Sequence, residues 1–287
     1  MNVSFIHRIP RFVGSRTVKN VLVFIANVIS RSTVHSLRVD GMMLRLDTSC
    51  RMELNVVLDG GWDKKLKDHC KRYISGNGTS IDIGANIGLW TCFIAAQKAA
   101  GLVFAFEPST RNYEMLMFHC AENALGKSVR AFKHGLSDTN SSLTLHKPSD
   151  FGSLTFVPAC GDDTVDVTES IVQVVPLDSY IASFDGQVDF IKLDVEGFEY
   201  EVLRGATQTL QIFQPTVLFE VNGVYLRSRN LTLVDMFNLF PSSYSFYTLA
   251  NDGTLHSVDV SMEINGYTLM DVIARGECMD SSGQNTD

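Results

Sequence analysis

Residues 80–88 read Ser-Ile-Asp-Ile-Gly-Ala-Asn-Ile-Gly, and this stretch decides the fold class. An apolar run that carries one acidic residue passes through two glycines into a segment with helical periodicity. At such a strand-to-helix turn, backbone amides and the positive end of a helix dipole meet a ligand. The stretch therefore predicts a cofactor-binding turn. Its candidate contacts are Asp82, Gly84, Asn86 and Gly88.

A further candidate lies at the end of the next apolar run. Glu107 closes the run 102–106 and stands 23 residues beyond Gly84. A doubly wound α/β fold presents a carboxylate to ribose hydroxyls at about this spacing. We therefore expect Glu107 to contact the ribose of a nucleoside cofactor. Taken alone, Asp82 would be explained as a loop-fixing carboxylate and Glu107 as a solvated strand end, whereas their spacing favours one shared site.

Two residues distinguish between cofactors. A pyrophosphate-binding turn needs G-x-G-x-x-G so that the backbone approaches the phosphates, whereas Asn86 occupies the second glycine position here. The carboxylate of Asp82 would also repel phosphate. It suits the cationic methionine end of S-adenosylmethionine, whether it acts directly, through water or by holding the loop. The turn therefore favours S-adenosylmethionine, and a nicotinamide dinucleotide is the alternative.

Strands and helices alternate after the turn cluster at residues 75–78, which predicts an α/β fold with a parallel sheet. Apolar runs that suit doubly covered strands occupy residues 79–83, 102–106, 129–134, 188–193 and 216–221. Helical spacing occupies residues 87–100, 111–124, 200–213 and 231–240. Residues 244–249 and 254–260 predict an antiparallel hairpin. We expect a Rossmann-like, mostly parallel, seven-stranded sheet with helices on both faces and this hairpin at its C-terminal end.

The chain divides into three parts by its patterns. Residues 1–75 combine a helix-like stretch with β-patterned runs at 36–39 and 42–46 and predict an N-terminal cap. Residues 76–280 form the expected cofactor-binding domain, and residues 281–287 an expected disordered tail. An insert at 141–176, with short strand patterns at 143–146, 154–157 and 171–175, predicts either a substrate-side element or a plain hairpin.

Charged residues are unusually dense at the C-terminal end of the fourth predicted strand. Period-two alternation places Lys192 and Asp194 on one face of the strand, and buried charge favours a functional explanation. Asp194 is the first candidate for positioning or deprotonating a substrate hydroxyl, and Glu196 is the second. Glu220, at the end of the fifth strand, adds a carboxylate to the same edge. A hard divalent ion held by Asp194, Glu196 and Glu220 stays open.

Polar groups also follow the third predicted strand. Ser137 and Asp138 stand at its carboxyl edge, where the adenine of a nucleoside cofactor would lie. Either side chain suits a hydrogen bond to the adenine amino group. An ordinary turn, with Asp138 bonding its own backbone, explains the same residues equally well.

Composition narrows the class of partner. A formal net charge of −8 and the absence of a long Lys/Arg run disfavour a nucleic acid and favour a small-molecule or glycan acceptor. The apolar stretch 21–29 carries Asn27 and is too short to span a membrane, and its flanks suit a signal peptide poorly. Six cysteines without a C-x-x-C pair indicate reduced thiols. We expect a cytoplasmic protein, whose oligomeric state the sequence leaves open.

Four motifs together resemble the FkbM family of class I methyltransferases. They are D-x-G-A-N-x-G at 82–88, F-E-P at 106–108, G-L-S-D at 135–138 and K-x-D-x-E-G-x-E at 192–199, and the similarity extends from about residue 58 to 222. The resemblance implies that the first two motifs line an S-adenosylmethionine site and that residues 192–199 form its chemical side. It implies O-methylation of a hydroxyl on a sugar, glycolipid or secondary metabolite. A catalytically silent binding module and an NAD-dependent oxidoreductase are the alternatives.

Overall fold

The computed structural model describes residues 16–147, 168–265 and 268–276. Its first elements are helix α1 (Arg16–Ser30), strands β1 (Val34–Val39) and β2 (Met42–Asp47), and helices α2 (Arg51–Asp59) and α3 (Lys64–Cys70). β1 and β2 pair antiparallel. Their turn has Asp40 at φ 48° and Gly41 at φ 84°, which is the left-handed geometry that an Asp-Gly hairpin turn favours.

The five apolar runs that predicted parallel strands all contain strands of the structure. Along the chain come β3 (Thr79–Ile83), α4 (Leu89–Ala95), β4 (Val103–Phe106), α5 (Thr110–Glu122) and β5 (Val129–Phe132). A small second sheet follows, formed by β6 (Gly135–Leu136), β7 (Ser141–Lys147) and β8 (Thr168–Val175). The chain then returns through β9 (Val188–Leu193), α6 (Glu199–Arg204), α7 (Thr207–Phe213) and β10 (Thr216–Asn222).

The C-terminal part closes the sheet with antiparallel strands. It comprises α8 (Gly223–Ser228), α9 (Leu233–Phe237), β11 (Tyr244–Leu249), β12 (Leu255–Ser257) and β13 (Leu269–Gly276). β13 lies between β10 and β11 and is antiparallel to both. The predicted hairpin corresponds to β11 and β12, but the sequence patterns missed β13. The sheet therefore has eight strands within the described ranges, in the order β12-β11-β13-β10-β9-β3-β4-β5.

This strand order confirms the Rossmann-like α/β prediction and locates a ligand site. β3 pairs in parallel with β4 on one side and with β9 on the other. The chain moves outward from β3 to β5 and then crosses back to β9, so the direction of winding reverses between β3 and β9. In open α/β sheets, ligands bind at the carboxyl edge beside such a reversal.

Helices cover both faces of the sheet. One apolar core joins β3, β4 and β9 to α6, α7 and α9, and it includes Phe106, Leu203 and Phe237. A second core on the opposite face joins the sheet to α4 and α5 through Trp90 and Leu116. Within the described ranges, no helix is long and apolar enough to cross a membrane.

The N-terminal elements attach to the main sheet through buried polar contacts. His119 of α5 accepts a hydrogen bond at Nε2 from the Arg45 backbone N–H, 2.9 Å away. Nε2 must therefore carry no proton, so Nδ1–H donates to the Ile87 carbonyl, 2.7 Å away. Burial lowers the pKa of His119, which keeps the ring neutral. One side chain thus joins β2 and α5 to the turn after β3.

One predicted helix differs from the structure, and two predicted segments lie outside the described residues. The helix predicted over 200–213 is broken between α6 and α7, because Gly205 packs against the Ser137 carbonyl and a Cβ there would lie 2.0 Å from that oxygen. The predicted strand 154–157 and the predicted tail 281–287 lie outside the described residues.

Candidate active site

A cavity of about 340 Å³ opens at the carboxyl edge of β3, β4 and β9. Its walls come from the turn after β3, the end of β4, the segment after β9, the small second sheet and helix α2. Of the residues singled out in the sequence, it brings together Gly84, Asn86, Glu107, Lys192, Asp194 and Glu196. The winding reversal and the charged motifs therefore coincide in one site.

The turn after β3 requires glycine at position 84. Gly84 has φ 73°, and an added Cβ would lie 1.8 Å from the Asp194 carbonyl oxygen. The backbone of the turn therefore packs directly on the segment after β9. Asn86 also adopts a left-handed conformation, with φ 50°, which asparagine tolerates better than most residues. Gly88, the N-cap of α4, does not line the cavity but packs on Leu116.

Glu107 fastens this turn to the end of β4. Its Oε2 accepts the Asn86 backbone N–H at 2.8 Å, and its Oε1 accepts the Ser109 backbone N–H at 2.8 Å. The side chain is buried, and burial raises the pKa of Glu107 to about 7 although both N–H donors favour the charged form. A carboxylate offers about four acceptor positions, so two remain for ligand hydroxyls.

Asp82 lies beneath the cavity and is not part of its lining. Its side chain is fully buried, and Oδ2 accepts a hydrogen bond from Thr91 Oγ1 at 2.5 Å. Asp82 is in register with Lys192 on the neighbouring strand. Burial raises the pKa of Asp82, and the Lys192 charge opposes that effect. This position favours a role in holding the turn and Lys192 over direct contact with a ligand.

Lys192 and Asp194 form an ion pair that faces the cavity. Lys192 Nζ lies 2.8 Å from Asp194 Oδ2, and the two side chains are 9% and 37% exposed. Burial acts to lower the pKa of Lys192, but the charges of Asp194 and Asp82 outweigh it and raise that pKa. The lysine therefore remains cationic and holds the Asp194 carboxylate at the edge of the cavity.

The segment after β9 turns sharply and exposes Glu196 to the cavity. Glu196 has φ 54°, an uncommon left-handed value for a residue with a long side chain, and Gly197 follows with φ 97°. Glu199 fixes this turn, because its carboxylate accepts the backbone N–H groups of Val195 and Gly197, both at 3.0 Å. Burial raises the pKa of Glu199 to about 7.

Glu220 lies behind the cavity rather than in its lining. It is in register with Asp271 on β13, so two carboxyl groups lie opposite each other across paired strands. Burial, with the charges of Asp194 and Glu196, raises the pKa of Glu220 to about 8, and burial raises that of Asp271 to about 6. Glu220 is therefore largely protonated at neutral pH.

This arrangement predicts a pH-dependent stability. The folded chain keeps a proton on Glu220 that the unfolded chain releases above its ordinary pKa of 4.5, so the free energy of unfolding should fall between pH 4.5 and about 8. Glu220→Gln replaces the carboxyl group with an amide that does not ionise, so this pH dependence is lost. We expect the variant to exceed wild type by about 2 kcal/mol at pH 9, after allowance for partial exposure, and to match it near pH 5.

Urea unfolding between pH 5 and 9 measures this difference. Glu114→Gln, on the exposed surface of α5, is the matched control and should follow the wild-type curve. Parallel pH curves for wild type and Glu220→Gln would show that Glu220 does not carry the proton.

Ser137 and Asp138 do not line the cavity. Ser137 Oγ donates to Asp138 Oδ1 at 3.2 Å, and Asp138 forms an ion pair of 3.0 Å with Arg204 on α6. The neighbouring Gly135 and Leu136 do line it. The adenine contact of Ser137 and Asp138 stays a prediction. Over the described part of the chain, no three His, Cys, Asp or Glu side chains are placed to share a metal ion.

The FkbM methyltransferase domain profile matches residues 82–246, which are more than half of the chain and include β4, β5, β9 and β10 and the cavity residues from Ile83 to Glu196. The chain belongs to this family. The match confirms the resemblance found in the four motifs.

Two curated relatives are similar to this FkbM chain. Methyltransferase sdnD of Sordaria araneosa is 29% identical over 170 residues, which cover 49% of this chain and 66% of that protein. Hexuronic acid methyltransferase AglP of Haloferax volcanii is 34% identical over 140 residues, which cover 45% of this chain and 50% of that protein. A solved rRNA methylase from Streptococcus thermophilus is similar over 74% of this chain and 93% of that chain, with 10% identity and a TM-score of 0.44.

The FkbM chain also lines its cavity with residues that the sequence patterns did not single out. Arg51, Met52 and Asn55 come from α2, and Trp62 comes from the segment that follows it. None of these four residues belongs to the four sequence motifs. Leu145 of β7 contributes from the insert. The N-terminal elements and the insert thus both reach the site.

Proposed function

We propose that this chain is an S-adenosylmethionine-dependent methyltransferase that methylates a hydroxyl group of a sugar, a glycolipid or a secondary metabolite. One observation carries the proposal. The winding reversal brings the turn after β3, the ribose candidate Glu107 and the Lys192–Asp194 pair into one cavity. A nucleoside-binding half and a proton-accepting half therefore share the same space.

The residues present fit S-adenosylmethionine better than a dinucleotide. Glu107 keeps two acceptor positions for the ribose hydroxyls after binding Asn86 and Ser109. Asn86 lines the cavity at the position where a pyrophosphate-binding turn would need glycine. The carboxylates of Asp194 and Glu196 also line the cavity, where they favour a sulfonium over phosphate charge.

The acceptor half of the proposal rests on the residues that α2 and Trp62 bring to the cavity. Trp62 offers an aromatic face, Asn55 an amide and Arg51 a guanidinium group. This combination suits a sugar ring that carries a carboxylate, because arginine recognises carboxylates in a bidentate geometry. The name of the relative AglP, a hexuronic acid methyltransferase, supports the same class of acceptor. The net charge of −8 favours such an acceptor over a nucleic acid.

The chain supplies position and a proton acceptor. S-adenosylmethionine, when bound, supplies an electrophilic methyl group. Asp194 would accept a hydrogen bond from the acceptor hydroxyl and take its proton as the oxygen bonds to the methyl carbon; the sulfur–methyl bond would break at the same time and leave S-adenosylhomocysteine. Lys192 fixes the Asp194 carboxylate through their 2.8 Å contact. The turn after β3 and the segment after β9 are held together by the packing of Gly84 on the Asp194 backbone. The reacting groups would therefore meet in a constrained geometry.

A thermal-shift comparison tests the cofactor. S-adenosylhomocysteine at about 100 times its dissociation constant should stabilise the chain by about 2.7 kcal/mol, because it binds only the folded state. NAD at the same concentration should have no effect. A shift with NAD alone would replace this proposal with an oxidoreductase, and no shift with either would favour a silent binding module.

Product analysis tests the acceptor. The chain would be incubated with methyl-labelled S-adenosylmethionine and, in separate reactions, free uronic acids, neutral sugars, their glycosides or RNA, and the products would be identified by mass spectrometry. Label on a uronic acid hydroxyl is the expected result. Label only on neutral glycosides would refute the role given to Arg51, and label only on added RNA would refute the acceptor class.

A further inference from the structure

Helix α1 presents an apolar face that no other described element covers. Six large apolar side chains are exposed on it, and Phe24 and Val28 are the most exposed, at 67% and 60%. The six are Val18, Val21, Phe24, Ile25, Val28 and Ile29. Their spacing of three and four residues places them on one side of the helix. We call this surface the α1 outer face.

The helix cannot roll to bury this face, because its other side is fixed. Ala26 and Val23 are buried against the N-terminal elements. Lys19 Nζ donates to the Leu58 carbonyl at 2.7 Å. Asn27 bonds Thr48 at 2.9 Å and His35 at 2.7 Å. Rolling the helix would break these hydrogen bonds and expose Val23 and Ala26 to water.

The stretch of sequence that contains α1 is opposite in net charge to the rest of the chain. Residues 1–39 contain six Lys and Arg and no Asp or Glu, whereas residues 40–287 contain 18 Lys and Arg and 32 Asp and Glu. Arg31, directly after α1, is exposed. An apolar helix face combined with a locally basic sequence is the pattern of a helix that lies in the interface of an anionic bilayer.

We propose that α1 docks the enzyme on an anionic lipid surface, with the α1 outer face immersed at the level of the headgroups. The docked helix lies flat on the membrane and does not cross it. Helix α1 contacts α2, and α2 lines the cavity. This inference concerns the N-terminal elements and holds whichever acceptor the cavity takes.

Sedimentation with vesicles tests the docking. The full-length chain would be mixed with vesicles of phosphatidylcholine alone or of equal parts phosphatidylcholine and phosphatidylglycerol. We expect binding to the anionic vesicles that weakens as NaCl rises, since the lipid charge is screened. Phe24→Ser with Val28→Ser should weaken binding about tenfold or more. Arg31→Glu should weaken binding to the anionic vesicles.

The matched control is Ile212→Ser, which replaces an equally apolar side chain, 59% exposed, on α7. It should bind vesicles as wild type does, and melting temperatures should show that all variants fold. Three results would overturn the proposal. In the first, the wild-type chain binds neither kind of vesicle. In the second, the double variant binds vesicles as tightly as wild type. In the third, the wild-type chain forms a concentration-dependent dimer instead of binding vesicles, and the double variant does not dimerise.

Discussion

An Asp194→Asn variant is expected to transfer methyl groups about 100 to 10,000 times more slowly than wild type, which is the usual contribution of a general base. Asparagine keeps the size of the side chain and an oxygen that can accept the hydrogen bond from Lys192, which is 2.8 Å long in the wild-type chain. It cannot accept a proton from the acceptor hydroxyl. Because the loss arises only as the proton moves, the affinity for S-adenosylhomocysteine should stay within about threefold of wild type.

The measurement combines methyl-transfer rates, with an acceptor identified by the product analysis, and calorimetric titration of S-adenosylhomocysteine. Glu196→Gln is the companion variant, since Glu196 lines the same cavity and is the second candidate. If Glu196→Gln causes the larger loss of kcat, the roles of the two carboxylates are exchanged. If the Asp194→Asn rate and affinity fall together, Asp194 binds the cofactor and does not take the proton.

The parts of the fold that could be predicted are those with local causes. β3 and β9 match their predicted residues, because strands buried on both faces must be continuous apolar runs. β13 was missed because its place between β10 and β11 depends on pairing between residues some 50 positions apart along the chain, Val217 with Ala274 for example. The break after α6 was missed for a similar reason. It follows from close packing of Gly205 on Ser137, a contact that helical periodicity does not encode.

The candidate site divides in the same way. Glycine, acidic residue and strand end follow each other at fixed spacing in the cofactor turn, so Gly84, Asn86 and Glu107 could be found from the sequence and do meet in the cavity. Arg51 and Trp62 could not, because they reach it through the docking of the N-terminal elements on the sheet. The contact of His119 with Ile87 and Arg45 that supports this docking has no sequence signature. The proposed acceptor side is thus built by tertiary packing, whereas the proposed cofactor side is built from residues at fixed sequence spacing, so the motifs point to a donor more readily than to an acceptor.

Glu107→Ala should weaken binding of S-adenosylhomocysteine about 100-fold, because two hydrogen bonds from ribose hydroxyls to a charged group contribute ~1.5–3 kcal/mol each, less the cost of ordering. The ionised carboxylate accepts these bonds. Since the pKa of Glu107 is about 7 in the free chain, wild-type affinity should fall as pH decreases below 7, while that of the variant should not. Isothermal titration calorimetry between pH 5.5 and 8.5 measures both effects.

Glu107 also bonds the Asn86 backbone N–H at 2.8 Å, so the variant loses a constraint on the turn as well as a ligand contact. A double-mutant cycle separates the two roles, with the 2′,3′-dideoxyribose analogue of S-adenosylhomocysteine as the second change. If Glu107 binds the ribose, removing the hydroxyls should weaken binding strongly in wild type and little in Glu107→Ala. An equal loss in both proteins would contradict the ribose contact and leave Glu107 the role of holding the turn, because a carboxylate that never meets the hydroxyls cannot sense their removal.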